Sequence, residues 1–400
     1  MFSLLFIIFP FVSTSKGCDP FQQIQPVDQK PYTYPLITNQ SFPAAQQCDW
    51  NIIVPNNTFV ILYINSTVPH GGRITVDQTP NHTETFLGPI VEQALFFVSP
   101  SFDLHWNSGN SNKGFLSFEI SWQNYTSNMT IQRYTLEKNG RSKVLDHEET
   151  YSPVVVTSEN SRISILALPG HRKDEEGYMR STVVFDGEGL GGSFLGSLYS
   201  IHRSKNQLVS RNSSITVFSL LPIPTHHHVI LQDFQACQNI SQFMALNLKG
   251  REIENIEMDG RNGRFVIFTQ IDSTLIDEYL VSAEFWEDGN LEVYLEGLDI
   301  DAEMYHFKYQ IIDADYSDNS SMHVEVTDNV KGIRYFDYRK STQNTSWIHH
   351  HGHSLSLVYS TNGSPTGFLA HFEIDAKKAS NMPKCLIILI SILSSFFSYQ

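Results

Sequence analysis

Residues 183–198 read VVFDGEGLGGSFLGSL. Gly187, Gly189 and Gly192 fall in a G-x-G-x-x-G spacing directly behind a β-branched run. With a helix after the last glycine, this spacing would cradle a pyrophosphate on the helix N-terminus, and the fold would be a parallel α/β sheet. The chain continues instead with SFLGSLYS, β-leaning and interrupted by Gly196. The stretch therefore predicts a surface turn between two strands in an all-β chain, and it argues against a nucleotide site.

Internal repetition supports that choice. RITVDQTPNHTETFLGPI (73–90) aligns with STVVFDGEGLGGSFLGSL (181–198), placing Asp77 over Asp186 and Phe86-Leu87-Gly88 over Phe194-Leu195-Gly196. The sister loop carries a glycosylation sequon at Asn81, so this edge is expected to face solvent. SFDLHWNSGNSNKGFLSFEI (101–120) likewise aligns with HSLSLVYSTNGSPTGFLAHFEI (353–374), each a strand, a polar loop and a glycine-led strand. Repeats of this kind indicate tandem units.

Outside these echoes, strand signals dominate. Leu116, Phe118, Ile120 and Trp122 alternate with Ser117, Glu119 and Ser121, the pattern of a half-buried strand. Apolar runs at 59–64, 162–168, 264–271 and 291–298 are separated by turn pairs. Asn139-Gly140, Asn262-Gly263 and Asp288-Gly289 predict hairpin turns. Helical periodicity is scarce.

The chain ends suggest export. Phe2 to Val12 is apolar and leads into Ser15 and Gly17 before Cys18, so residues 1–17 are expected to be a secretory signal peptide. Cys385 to Phe397 is apolar but short for a span of roughly 20 residues. Small residues lie just upstream, and residues 376–400 are expected to be a glycosylphosphatidylinositol (GPI) anchor signal. Attachment would fall at Ser380 or Asn381, with a true membrane span as the alternative. Eleven sequons begin at Asn39, Asn56, Asn65, Asn81, Asn124, Asn128, Asn212, Asn239, Asn319, Asn344 and Asn362, as suits an exposed glycoprotein. The formal charge of −15 repels nucleic acid and anionic lipid head groups, which excludes them as partners. In an oxidising compartment Cys18 and Cys48 are expected to pair. Closing that loop would contribute about 3.5 kcal/mol in the chain-entropy account. Cys385 would leave with the tail. Cys237 is then left over, as a buried thiol or, alternatively, an intermolecular bridge.

Cys18, Tyr34-Pro35, Cys48-Asp49-Trp50-Asn51-Ile52 and Pro55 resemble the opening of a CUB domain. Asp186-Gly187 and Leu195-Gly196 look like its central motif, and Gly-Phe-Leu at 114–116 and 367–369 like its closing strand. The chain resembles the divergent CUB-like proteins abundant in nematodes, which pair a signal peptide with CUB-like modules on a glycosylated, often GPI-anchored chain. The resemblance implies tandem jelly-roll-like β-sandwiches, here a CUB-like domain over 18–123, a second module over 130–236 and a divergent third over 237–375. It departs from the family at Ser197, where a second disulfide would need a cysteine. It departs again at Arg180, in the place of a calcium-binding aspartate, which puts a calcium site in the second module in doubt.

Chemistry-bearing motifs are few. HExxH, GxSxG and paired zinc cysteines are missing, and Gly191-Gly192-Ser193-Phe194-Leu195 lacks the closing glycine of a nucleophile elbow. Asp174-Glu175-Glu176 and Asp299-Ile300-Asp301 are expected to be solvated faces. His226-His227-His228 and His349-His350-His351 with His353 are expected in solvated turns, with weak metal binding as the alternative. The expected protein is no enzyme and has no catalytic residues, metal or cofactor. It is a cell-surface glycoprotein on the extracellular face, held by a lipid anchor or secreted. Its ligand would be a carbohydrate or a protein bound by loops at the sandwich ends. The family resemblance implies a link to innate immune defence. The alternative is a secreted hydrolase using dispersed carboxylates.

Overall fold

A computed structural model of the chain describes residues 18 and 21–375, apart from 28–29, 36–43, 68–70, 79–81, 111–113, 126–128, 139–141, 160, 171–172, 205–206, 241, 248–250, 259–261, 270–276, 286–288, 298–304, 315–320, 329–331, 339–343, 353 and 362–365. The expected signal peptide and anchor signal therefore lie outside the described residues. So do Asn39, Asn81, Asn128, Asn319, Asn362, Ser380 and Asn381.

The fold is all-β and built from three sandwiches. The first has nine strands: Phe21–Ile24, Tyr32–Tyr34, Gln47–Ile53, Thr58–Thr67, Arg73–Gln78, His82–Phe86, Ile90–Val98, Ser101–Asn107 and Phe115–Asn124. One sheet runs in the order first, third, eighth, fifth, sixth, and the other second, ninth, fourth, seventh. The second sandwich repeats both orders with Gln132–Leu136, Lys143–Asp146, Val154–Ser158, Ile163–Leu168, Thr182–Asp186, Ser193–Ser197, Leu208–Val209, Ser214–Ser219 and His228–Asp233. The third repeats them again with Asn262–Thr269, Asp277–Phe285, Gly289–Gly297, Tyr305–Ala314, Ser321–Asp328, Gly332–Tyr338, Asn344–Gly352, Ser354–Thr361 and Thr366–Asp375. It also gains Gln242–Asn247 and Arg251–Met258, one parallel strand on the edge of each sheet. In all three, the first strand runs parallel to the third.

This repeated topology explains the two sequence echoes. Residues 73–90 and 181–198 each span the fifth and sixth strands of their sandwich, and 101–120 and 353–374 reach from the eighth strand into the ninth. The fifth and sixth strands form the hairpin joining neighbours in one sheet. Most other connections cross between sheets. Asn262-Gly263 accordingly opens a strand rather than turning a hairpin, because the preceding strand lies in the opposite sheet. Asn139-Gly140 and Asp288 lie outside the described residues.

Each sandwich encloses a core drawn from both of its sheets. In the first, Leu116, Phe118 and Ile120 point inward as the alternation requires, against Trp50, Leu104 and Trp106. Other strands are apolar on both faces, as strands covered on two sides should be. In Thr58–Thr67, Val60, Leu62 and Ile64 enter the core while Phe59 and Ile61 point outward. There they meet Val183, Phe185, Phe194 and Phe218 on the five-stranded sheet of the second sandwich. The second sandwich packs in turn on the third through Leu168, Ile230, Phe243 and Val266. Six sheets thus stack face to face.

One element departs from the sequence expectation. After the Ser193–Ser197 strand the chain enters a short helix, Leu198–Arg203. Ser197 accepts from the Ser200 amide and Ser200 reaches back to the Ser197 amide, a reciprocal capping box. Leu198 and Ile201 bury the inner face of this turn.

Candidate functional site

The glycine stretch lies at the seam between the first two sandwiches. Gly187 (φ 98°) and Gly189 (φ 94°) occupy the left-handed region that favours glycine. The Thr216 hydroxyl donates to the Gly187 carbonyl at 2.8 Å and accepts from the Gly189 amide at 2.7 Å, pinning the turn to the neighbouring strand. A Cβ on Gly192 would stand 2.3 Å from the Asp186 carbonyl oxygen. Buried Asp186 accepts from the backbone amides of Arg211 and Asn212 and from the Asn212 side chain at 3.1–3.2 Å. The motif is a braced turn, as its sequence context predicts. The helix begins only after the next strand, too late to serve a pyrophosphate.

Beside this turn opens a cleft of about 650 Å³. The first sandwich contributes one of its ends: the Asn56-Asn57 turn, Ser99-Pro100 and Tyr125. The second contributes Leu190 to Ser193, the Phe185 and Phe194 rings, and Arg211. Burial pushes the Tyr125 phenol above its ordinary range, and its ring stacks on Phe59. The cleft thus combines aromatic walls with amide, hydroxyl and guanidinium groups, a composition suited to sugars or peptide segments.

Away from the cleft lining, an ion pair links the same two sandwiches. Arg180 reaches across to Glu84 through Nε at 3.0 Å and a terminal nitrogen at 2.8 Å, with side chains only 7% and 10% exposed. The guanidinium also lies 3.5 Å over the Tyr199 ring, and His82 Nε2 sits 3.2 Å from the same carboxylate. Burial alone would raise the Glu84 carboxyl, but hydrogen bonds from His82 and Arg180 outweigh it and hold it below the usual range. Arg180, noted in the sequence only as a departure from a calcium motif, is an intersandwich clamp. Its partner is 96 residues away, beyond any local signal.

The open face of the first sheet carries a second polar constellation. His105 Nδ1 lies 2.6 Å from Asp49 and its Nε2 lies 3.5 Å from Asp77. The three residues come from neighbouring strands of that sheet. With both ring nitrogens facing carboxylates, the group is a polar histidine–carboxylate ladder on a solvated sheet.

Of the histidines of the second sandwich, His226 is exposed in a loop as expected, whereas His228 opens a strand and His227 turns inward. His227 is buried, 3.2 Å from the Thr182 hydroxyl and 2.6 Å from that of Thr225. Its ring meets buried His147 at 4.1 Å, and Ser219 and Thr150 complete a hydroxyl network beside them. Burial pushes the His147 imidazole down to about 4 and that of His227 further down, the neighbouring histidines adding to the shift. His226 pairs with Glu175 and His228 with Asp146. Glu175 is therefore committed to His226, and Glu176 lies 3.9 Å from Arg203. Asp299 and Asp301 lie outside the described residues, as does His353. In the third sandwich His349 and His351 lie exposed on strand Asn344–Gly352, and His350 stacks on Tyr309.

Cys18 and Cys48 form a disulfide with Cα atoms 5.9 Å apart. It tethers the N-terminal strands to the core, where Cys48 is fully buried. Cys237 is a free, buried thiol whose ionisation burial opposes. Of the described sequon asparagines, Asn56, Asn124, Asn212 and Asn239 are exposed. Asn65 is half-buried and accepts from the Glu92 amide at 2.8 Å. Asn344 opens its strand.

Residues 18–126 match the CUB-like domain family, and residues 136–220 match a family described as a domain of unknown function (DUF7592). No curated protein matches the chain. Among solved structures, the CUB1-EGF-CUB2 domains of rat MASP-1 are similar over 52% of this chain and 99% of that one, at 12% identity and a TM-score of 0.22. The full extracellular region of zebrafish Gpr126/Adgrg6 is similar over 87% and 53%, at 10% identity and a TM-score of 0.23. An oxalate decarboxylase from Bacillus subtilis covers 84% and 67%, at 9% identity and a TM-score of 0.14. The match to the CUB-like domain family spans the first sandwich, which holds the Cys18–Cys48 bridge and the nine-stranded topology.

Proposed function

We propose that the chain is a non-catalytic cell-surface glycoprotein that binds a carbohydrate or protein ligand in the cleft between its first two sandwiches. The observation that carries this reading is the cleft itself, built from loops of two sandwiches whose relative position a buried ion pair holds. Preformed concave sites with a few fixed polar groups bind without the cost of ordering mobile loops. In this reading the chain divides into units at 18–123, 130–236 and 237–375. A signal peptide at 1–17 directs export, the sequon asparagines carry glycans, and the tail at 376–400 is exchanged for a GPI anchor at Ser380 or Asn381. By its resemblance to nematode CUB-like proteins, the ligand is microbial or a host surface component, and the role is innate defence.

The test is to present the purified, glycosylated ectodomain to glycan arrays and hydrolase substrate panels in parallel. Saturable binding without turnover, weakened at least tenfold by Ser193→Arg in the cleft, is the expected result. Turnover abolished by substitution of one carboxylate would replace this reading with the hydrolase. Attachment is tested separately: phosphatidylinositol-specific phospholipase C should release the protein from cells, and a product that resists release and keeps residues 385–400 would be a tail-anchored span.

A further inference from the structure

Three glycosylation sequons border the cleft between the first two sandwiches, and their side chains go different ways. Asn56 lines the cleft itself, while Asn124 and Asn212 adjoin the lining residues Tyr125 and Arg211. Asn124 lies opposite Thr58, one residue before Phe59, on whose ring Tyr125 stacks. Alternation therefore sends Asn124 to the other side of its sheet. Asn212 turns its side-chain amide onto buried Asp186 at 3.2 Å. Of the three, Asn56 alone presents its carboxamide to the cleft.

The backbone around Asn56 is held in place. The Thr58 hydroxyl donates to the Pro55 carbonyl at 2.7 Å, and the Tyr125 amide donates to the Asn57 carbonyl at 3.1 Å. The Ser99 hydroxyl donates to Asn56 Oδ1 at 2.9 Å. Asn56 Nδ2, the atom to which a glycan joins, is thereby left without a partner among the described residues. Transfer during export links Nδ2 to the anomeric carbon of N-acetylglucosamine. The lipid-borne diphosphate of the sugar donor leaves and the amide gives up one proton, so the bond from Ser99 to Oδ1 survives.

The walls beyond that root suit a neutral sugar. The Tyr125, Phe185 and Phe194 rings offer faces to the apolar side of a pyranose, and Ser193 and Arg211 offer hydrogen-bond donors. No carboxylate lines the cleft among the described residues, although the chain carries 42 acidic residues. A volume of about 650 Å³ lies within the range of small-ligand sites. A sugar tethered at the rim also meets these walls at the high effective concentration of an intramolecular partner.

We propose that the glycan on Asn56 folds back into this cleft as the chain's own lid, which an outside ligand must displace. The glycan itself rests on the reading of the chain as an exported glycoprotein, and its role as a lid on the reading of the cleft as a ligand site. A glycan that fills the cleft about nine-tenths of the time makes a competing ligand bind about tenfold more weakly than it would to the open cleft.

The experiment secretes the full-length chain from glycosylating cells and treats the folded product with peptide N-glycosidase, following release at each sequon by mass spectrometry. Asn56 should lose its glycan about tenfold more slowly than exposed Asn239, and the difference should vanish after denaturation. In Asn56→Gln, amide exchange at residues 190–193 should quicken, and affinity for a ligand found on the glycan array should rise about tenfold. Equal release from Asn56 and Asn239 in the folded chain overturns the lid, as does an Asn56 that carries no glycan, and neither result depends on a variant that folds. Either outcome leaves cleft binding, read by Ser193→Arg, standing. An array without binding removes the outside ligand alone, and slow release at Asn56 then still upholds the packed glycan.

Discussion

His147 and His227 lie with their rings 4.1 Å apart, each no more than 2% exposed, in a wall of serine and threonine hydroxyls. Burial holds both imidazoles neutral, with pKa values of about 4 for His147 and lower for His227. The unfolded chain takes up protons near the ordinary histidine pKa of about 6.5 that the folded chain refuses, so stability is complete above that pH and falls below it. At pH 5 each histidine should cost about 2 kcal/mol, together about 4 kcal/mol. Denaturant titrations at pH 7 and pH 5 check this, and a second sandwich equally stable at both would refute the burial account. Glu84 and Arg180 give a second prediction. Arg180→Met alone leaves the buried Glu84 carboxylate with His82 as its remaining partner and should cost up to about 3–5 kcal/mol, whereas Glu84→Leu with Arg180→Met should restore much of it. None of these partners was legible in the sequence. His227 carries the same letter as its solvated neighbours, and only the fold reveals which one turns inward.

The hairpin of the fifth and sixth strands shows what the sequence does reveal. Its Phe-Leu-Gly echo and its glycine spacing predict a turn, and the positive φ values of Gly187 and Gly189 explain the residue choice. Gly189→Val should cost about 1–3 kcal/mol through backbone strain, without altering any affinity for NAD or ATP. Thermal unfolding of the variant and nucleotide titration of the parent measure the two halves of that statement. Alternating strands such as Phe115–Asn124 were legible for the same physical reason: one face meets the core and the other meets solvent. The apolar run at 59–64 was legible as a strand but not as an interface, because a core-facing and a partner-facing residue are equally apolar. Asn262-Gly263 misled because a glycine pair signals a change of direction without saying whether the chain returns to the same sheet. The Leu198–Arg203 helix is too short to show a period, and only its Ser197 and Ser200 caps announce it.

At the scale of the molecule, the three sandwiches are joined broad face to broad face rather than strung on exposed linkers. The first seam combines an apolar cluster with the Glu84–Arg180 pair, so the first two sandwiches should unfold together. Scanning calorimetry of the ectodomain should give one shared transition for them, which Arg180→Met should split in two. Separate transitions in the wild-type chain would mean the seam contributes little. Replacing Cys18 or Cys48 with serine should lower the same transition by the equivalent of about 3.5 kcal/mol. The repeated strand order also governs how the chain is made. In every sandwich the eighth strand lies between the third and fifth, and the ninth lies between the second and fourth. The last two strands to leave the ribosome are therefore the central ones, and until they arrive each half-built sheet is divided down its middle. A nascent sandwich cannot close gradually from its N-terminus. It must wait, with its apolar faces open and dependent on chaperones, and then condense in one step around residues such as Leu104 and Phe118 in the first repeat and Leu357 and Phe372 in the third. A stop codon shortly before residue 354 would thus discard a small fraction of the chain and yet remove the central strand of both sheets of the third sandwich.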